Sequence, residues 1–309
     1  MKQKTIRIAT RQSPLALWQA NYVRELLLKQ WPSLNIELLP MVTSGDKFLK
    51  DKLLNAGGKG LFVKELEEAL LDKRADFAVH STKDMPADQP DGLSLAAICK
   101  RHNPFDALVS NNFKSLDTLP AKAIVGTSSL RRQSQLLAYR PDLQIKTLRG
   151  NINTRLAKLD AGEYDAIILA AAGLERMGFE DRITEFLTDD IMLPACSQGA
   201  LCIECRNDDV EIQQIISVLN DPDSSLCVHV ERDVNAQLGG NCHVPLAVFC
   251  RITPTDQLVL KAKILTLDGT QAIEDTQTGN RNQAMSLAKQ CTQNLIDKGA
   301  IAILDSSSQ

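Results

Sequence analysis

The run Phe77-Ala78-Val79-His80-Ser81-Thr82-Lys83-Asp84-Met85-Pro86 decides how this chain folds. Three apolar residues give way abruptly to polar and ionisable ones, and a proline stops the run. In an α/β protein, the carboxyl end of a buried strand is where ligands bind and where catalytic side chains are mounted. Lys83 and Asp84, side by side at such a tip, form a candidate acid/base site. An aspartate after a strand is also a common turn or helix-cap residue. The motif therefore takes its meaning from the rest of the chain.

Working outward, the same build recurs. Glu163-Tyr164-Asp165-Ala166-Ile167-Ile168-Leu169-Ala170 echoes Arg74-Ala75-Asp76-Phe77-Ala78-Val79-His80. The strand Ile124-Val125-Gly126 and its loop Thr127-Ser128-Ser129-Leu130-Arg131-Arg132 echo Ile8-Ala9-Thr10-Arg11-Gln12-Ser13. Ser13 reads as an N-cap with Pro14 at the first helical position. The helix continues through Val23, Leu26 and Leu27 until Pro32. The expected fold is α/β: two domains of repeated architecture around a hinged cleft, plus a small C-terminal α+β domain. Helix N-termini and free backbone N–H groups in such a cleft suit an anionic ligand.

Other segments fill in that plan. Ile36 to Val42 reads as a strand. Thr43 to Gly60 has no periodicity and reads as a lid-like loop. Its Gly57-Gly58-Lys59-Gly60 lacks the spacing of a nucleotide phosphate loop. Leu61 to Leu71 is an amphipathic helix. Leu193 to Arg206 reads as a crossover back to the first half, ending strand-like. Asn220-Asp221-Pro222-Asp223-Ser224 is a turn signal that opens the third unit. There a helix over Ser225–Leu238 precedes strands around Leu246–Phe249, Leu258–Leu265 and Gln271–Glu274, and a final helix spans Asn282–Lys298. The resulting domains are 1–99 plus 200–218, 100–199, and 219–309.

Size and composition set bounds. A chain of 309 residues suggests about two domains with room for a third. The 44% hydrophobic and 24% charged content is that of an ordinary globular protein. A net charge of -3 argues against general nucleic-acid binding while leaving room for a local basic pocket. No apolar run is long enough to cross a bilayer, and Met1 to Thr10 has no apolar signal core. The expected location is the cytoplasm, with no membrane or nucleic-acid partner. The 8 cysteines then read as thiols rather than a disulfide framework. Cys202-x-x-Cys205 has metal spacing but no partner pair, and it lies in a strand-like run, so both read as core thiols.

The strongest local signal is basic. Ala121 to Leu159 holds 8 basic residues against a single acid, Asp142. Arg131 and Arg132 follow the Thr-Ser-Ser loop, Arg149 precedes Gly150, and Arg155 lies one turn into the next helix. Forked guanidiniums bind carboxylates, and several together suit a ligand with several acid groups. A solvated basic face is the competing reading. Cys242, beside His243 on a Gly-Gly-Asn loop, is either an accessible, activated thiol or an idle one. His80, His102 and His229 scatter without metal spacing and read as structural. No metal site is expected.

Taken together, these motifs closely resemble the porphobilinogen deaminase family, the hydroxymethylbilane synthases, over essentially the whole chain. The resemblance rests on the run from Arg7 to Gln19, Gly57 to Phe62, the Val-His-Ser-x-Lys-Asp tip and Val125 to Gln133. It extends to Leu148 to Arg155 and the Gly-Gly-x-Cys-x-Val-Pro-type loop at Cys242. It implies two α/β domains related to periplasmic binding proteins and a third domain carrying a dipyrromethane cofactor on a Cys242 thioether. Four porphobilinogen molecules are joined head to tail with loss of ammonia, and water releases the linear product. By the same resemblance Asp84 is the catalytic residue. Lys83, Thr127, Ser129, Arg131, Arg132, Gly150 and Arg155 hold the cofactor, and Arg11, Ser13, Gln19, Arg149 and Arg155 hold the substrate. Lys59 and Phe62 belong to the loop, and the enzyme is expected to be a monomer. The chemistry agrees: a carboxylate at Asp84 can protonate the leaving amine and stabilise the electron-poor azafulvene-type cation.

Three positions depart from the family pattern. Asn55 stands where relatives carry lysine, Ser197 replaces a glycine, and Asn241 precedes the cysteine where glycine is usual. Two rival readings have distinct consequences. A two-lobed anion-binding module predicts a bare chain mass, and a Cys242/His243 thiol enzyme predicts no pyrrole product.

Overall fold

The computed structural model describes residues 5–45, 60, 62–239 and 244–306. Residues 1–102 with 200–225 form one compact unit, and residues 103–199 with 226–309 form a second.

The first unit is built on a five-stranded mixed sheet. Its strands are β1 (Thr5–Arg11), β2 (Asn35–Met41), β3 (Phe77–Ser81), β4 (Leu93–Ile98) and, returning from far along the chain, β10 (Leu201–Arg206), in the order β2-β1-β3-β10-β4. β1 runs parallel to β2 and β3, whereas β10 is antiparallel to both β3 and β4. The expected return of the 193–206 segment is thus a strand insertion at the centre of the first sheet. The Ala200–Arg206 run does not alternate in burial as a one-sided strand would. All six residues of β10 are buried, because helices cover both faces. On one face Phe77, Val79, Leu201, Ile203 and Cys205 pack with Ala20, Val23 and Leu27 of helix α1 (Pro14–Gln30). On the other, Ala78 packs with Leu66, Ala69 and Leu70 of helix α2 (Lys64–Leu71). The α2 helix begins later than the sequence suggests, because Gly60 to Val63 form a turn in which Val63 N–H donates to the Gly60 carbonyl at 3.0 Å.

The second unit repeats the plan. Its strands β5 (Asp106–Val109), β6 (Ile124–Gly126), β7 (Gln144–Lys146), β8 (Ala166–Ala170) and β9 (Glu185–Leu187) take the order β7-β6-β8-β5-β9. Again the first strand in the chain's βαβ path runs parallel to its two neighbours, and the inserted strand is antiparallel. Helix α3 (Leu130–Tyr139) covers one face through Leu136. Helix α4 (Ile152–Asp160) covers the other through Leu156 and Leu159. A short helix α5 (Ala171–Arg176) follows β8 directly.

Helix α6 (Val210–Ser217) follows β10 and packs Ile212 and Ile216 on the first sheet. Helix α7 (Pro222–Gln237) starts three residues before the expected Ser225, since Asp221 Oδ1 accepts the Ser224 N–H at 2.8 Å and Pro222 needs no partner for its nitrogen. A three-stranded antiparallel meander follows: β11 (Leu246–Ile252), β12 (Gln257–Leu265) and β13 (Ala272–Asn280). It shares one core with α7, α8 (Ala284–Asp297) and α9 (Ala300–Ser306). β13 extends well past the expected Glu274, its outer face exposed in strict alternation. Gly269, at φ 72°, turns the β12–β13 connection against α3, where an added Cβ would lie 2.3 Å from the Ala138 nitrogen. Only glycine fits there.

Candidate active site

The ends of β3 and β6 present the ionisable residues, each through a local device readable in sequence. In the first unit Ser13 Oγ accepts the Ala16 N–H at 3.3 Å, capping α1 with Pro14 as its first residue. Such a cap is worth about 1 kcal/mol. The strand β3 extends through His80 and Ser81, two residues beyond the apolar run that ends at Val79, and a single 3₁₀ turn over Thr82–Asp84 closes it. Thr82 N–H donates to the Ala200 carbonyl at 3.1 Å, and Met85 N–H donates back to Thr82 at 3.1 Å. This turn lifts Asp84 out of the sheet and leaves it half-buried.

Asp84, Arg11, Gln19, Phe62, His80 and Ser81 line one cavity of about 30 Å³. Gln19 is almost fully buried and donates from Nε2 to Ser81 Oγ at 2.8 Å. The Arg11 guanidinium stacks over the Phe62 ring, 4.3 Å from its centroid, a contact that orients the cation without neutralising it. The structure therefore brings Arg11, Gln19, Phe62 and Asp84 to one place. Ser13 serves the helix cap beside them, and half-buried Lys83 precedes Asp84 on the turn. Lys59, Cys242, Asn55 and Asn241 lie outside the described residues, as does most of the expected lid loop.

In the second unit Ser129 Oγ caps α3 by accepting the Arg132 N–H at 3.4 Å, and Thr127 Oγ1 accepts the Ser129 N–H at 3.2 Å. Arg131 and Arg132 lie in the first turn of α3, only 5% and 6% exposed. A residue not singled out in the sequence explains how they can be buried. Asp106, fully buried at the start of β5, meets Arg131 Nη2 at 2.8 Å and Arg132 Nη2 at 2.7 Å. Arg132 Nε also donates to it at 3.0 Å, and Gln198 Nε2 at 3.0 Å. Arg131 Nη1 donates to the Leu193 carbonyl and Arg132 Nη1 to the Ile168 carbonyl. Burial lowers the proton affinity of Arg131, and the Asp106 charge opposes that effect. Among the described residues, two guanidiniums meet one carboxylate here, so the cluster carries more positive than negative charge. In a low-dielectric setting that excess favours an added carboxylate.

Further along, Arg149 is exposed and Arg155 half-buried. Gly150, at φ 118°, joins them by a turn in which a Cβ would lie 2.8 Å from Thr154 Cγ2. Arg155 Nε donates to the Gly150 carbonyl at 2.7 Å, and Asn151 caps α4 through the Thr154 N–H at 2.9 Å. Arg140, counted in the same basic run, is occupied within the chain. It forks onto Asp142 at 2.7 and 2.8 Å and donates to the Leu116 and Leu119 carbonyls.

Cys202 and Cys205 are fully buried. Cys202 pairs with His80 across the strands and Cys205 with Phe77, placing the two thiols on opposite faces of the sheet. They cannot share a metal, and no group of potential metal ligands occurs among the described residues. Among those residues no helix is long and apolar enough to cross a membrane.

One α/β unit thus carries an ionisable Lys-Asp pair on a strand-end turn, and its structural repeat carries a buried cation cluster suited to acid groups. Comparison with known proteins makes the class specific. A family model described as "Porphobilinogen deaminase, dipyromethane cofactor binding domain" matches residues 6–214, and one for the C-terminal domain matches residues 225–297. The chain is 73% identical over 304 residues to the porphobilinogen deaminase of Legionella pneumophila strain Paris, and 72% to that of strain Lens. Each alignment covers 98% of both proteins. The methionine-binding protein MetQ, a solved structure, aligns at 14% identity and TM-score 0.45, over 74% of this chain and 94% of that one. The chain belongs to the porphobilinogen deaminase family. It joins four porphobilinogen molecules head to tail, releasing ammonia, into the linear hydroxymethylbilane of tetrapyrrole biosynthesis. Its cofactor is dipyrromethane, whose acid groups suit the positive excess at Arg131 and Arg132.

Proposed function

We propose that Asp84 carries the proton chemistry and that the cations of the two units hold the carboxylates. The 3₁₀ turn that sets Asp84 into a cavity with Arg11, Gln19 and Ser81 is the observation that carries this reading. From that turn the carboxylate can pair with the substrate's ammonium, stabilise the cation left when ammonia departs, and hold pyrrole N–H groups. Arg11, stacked on Phe62, binds a substrate carboxylate together with Ser13, Gln19, Arg149 and Arg155. Arg131 and Arg132, with Lys83, Thr127, Ser129, Gly150 and Arg155, hold the cofactor, and Cys242 tethers it. When bound, the cofactor supplies the electron-rich pyrrole carbon on which growth begins. Asp106 keeps the paired guanidiniums fixed whether or not that group is present, so their positions cost no reorganisation at binding.

Three domains are proposed: 1–99 plus 200–218, 100–199, and 219–309. Each corresponds to one of the three sheets. The protein is also read as a cytoplasmic monomer without a nucleic-acid partner. Intact-mass measurement tests the assignment of the tether. The purified chain should exceed its sequence mass by one dipyrromethane, and Cys242→Ser should lose that increment. A bare chain mass in the unsubstituted protein would favour the anion-binding module instead.

A further inference from the structure

The crossover over 193–199, which runs from β9 towards β10, grips the arginine cluster on one side and the C-terminal meander on the other, all within the second compact unit. Towards the arginines, the Leu193 carbonyl accepts Arg131 Nη1 at 2.8 Å and Gln135 Nε2 at 3.1 Å, and Leu193 N–H donates to Gln135 Oε1 at 2.8 Å. Buried Gln198 donates from Nε2 to Asp106 Oδ1 at 3.0 Å and to the Pro104 carbonyl at 2.8 Å. Towards the meander, the Leu193 side chain packs with Ala247 and Phe249 of β11.

Glu231 closes this arrangement. It lies on α7, the helix that leads into the Cys242 loop, and it is fully buried. Its Oε2 accepts the Ser197 N–H at 2.6 Å, and its Oε1 accepts the Cys250 N–H at 2.7 Å. One carboxylate therefore ties α7, β11 and the crossover together. An apolar residue would join α7 to β11 as well as a buried charge does, or better. The carboxylate adds what an apolar side chain lacks: two acceptor oxygens, one for each of two backbone segments.

The proposed reading holds the cofactor at two points, by a thioether on the loop after α7 and by acid groups on Arg131 and Arg132. A primer pinned twice stays in place only while those points keep their spacing, and a displacement of about 1 Å can cost about 10²-fold in rate. We propose that Glu231 is a positioning residue for the cofactor: it locks the crossover to α7 and β11, so that the Cys242 tether and the Arg131–Arg132 anchor stay one rigid body while the chain grows. This inference rests on that tether and that anchor. Asp106 fixes the two arginines relative to each other, and Glu231 fixes them relative to the thiol. The Lys261–Asp189 ion pair at 2.7 Å and the seat of Gly269 on α3 extend the same seam. Losing Glu231 alone therefore loosens the seam without opening it.

The test uses the holoenzyme with two spin labels carried on p-acetylphenylalanine, one in place of exposed Lys114 and one in place of exposed Met285 on α8. Pulsed electron spin resonance reads the distance between them. In the otherwise unsubstituted protein a single narrow distance is expected, the same before and after porphobilinogen is added. A distance that changes as the chain grows would overturn the proposal, whatever any variant does. In Glu231→Gln the amide keeps one acceptor and turns a donor towards the other N–H, so the distribution should broaden. Chains of that variant that carry the cofactor mass should turn over about ten-fold more slowly. Their KM should be unchanged, because the cavity at Asp84 and Arg11 is untouched. A merely structural role would lower the urea midpoint and leave both the distance and the kcat of loaded chains as they were, and that result sinks the inference. Cys242→Ser separates the two claims. If it keeps the cofactor mass, the tether fails and this inference with it. If it loses that mass while Glu231→Gln keeps the narrow distance and the full rate, only the inference fails.

Discussion

The two α/β units share a sheet plan down to individual hydrogen bonds, yet they place their charges differently. Asp76 and Asp165 stand just before β3 and β8. Asp76 Oδ2 accepts the Arg7 N–H at 2.7 Å, and Asp165 Oδ2 accepts the Ile124 N–H at 2.7 Å. Each brace locks the strand to its parallel neighbour, and Ser13 and Ser129 cap the helices that follow those neighbours. The units diverge at the next step. β3 ends in His-Ser and a 3₁₀ turn bearing Lys83 and Asp84, whereas β8 ends in Leu169-Ala170 and runs straight into α5. The second unit has put its ionisable residues on β5 and α3, as Asp106, Arg131 and Arg132. One repeat thus offers a half-buried Lys-Asp pair on a turn and the other offers buried, fixed positive charge. A duplicated scaffold keeps its bracing and varies the ends of its strands.

Substitutions that sharpen this contrast rank by their effect on stability. Asp106→Ala should be the most damaging, because it strands two buried guanidiniums. A loss of about 3–5 kcal/mol in urea unfolding is expected, along with a lower fraction of chains carrying the cofactor mass. A loss under 1 kcal/mol would mean that the arginines find other partners. Ser197→Gly should act in the opposite direction and more weakly. Ser197 adopts φ 61°, in the left-handed region where a side chain is strained, and its N–H donates to buried Glu231 Oε2 at 2.6 Å. Relieving that strain should raise stability by about 0.5–1 kcal/mol after allowing for the freer unfolded chain. An unchanged urea midpoint would show that the loop bears no strain.

The effect of Glu67→Gln depends on pH. Folding raises the Glu67 value from 4.5 to about 7, so between those values the folded state binds more protons than the unfolded one. Stability contributed by this group therefore falls as pH rises through that window. The glutamine variant should match the unsubstituted protein below about pH 4.5 and be more stable above about pH 7. Thermal melts at pH 4.5 and 8 would show it, and a gain of equal size at both would contradict the assignment.

Much of this arrangement was legible in the chain itself. Serine followed by proline fixed the start of α1, and the paired Asp-plus-apolar runs announced β3 and β8 before their braces were visible. The short strands β4, β5, β7 and β9 leave no distinct mark in the sequence. Runs of three to six residues carry too little periodicity, and their burial depends on partners distant in sequence. Asp106 escaped for the same reason. An acid at the head of Asp-Ala-Leu-Val looks like a turn residue until α3 delivers two arginines to it. His80 read as structural because the carboxylate that holds it is 124 residues away.

Asp84 is the centre of the proposed chemistry, and single-turnover ammonia release by Asp84→Asn tests that role most directly, with intact mass first confirming that the variant carries its cofactor. The expected result is a loaded, folded protein whose ammonia release is slowed by about 10²-fold or more. Release at the unsubstituted rate from a loaded Asp84→Asn protein would contradict it.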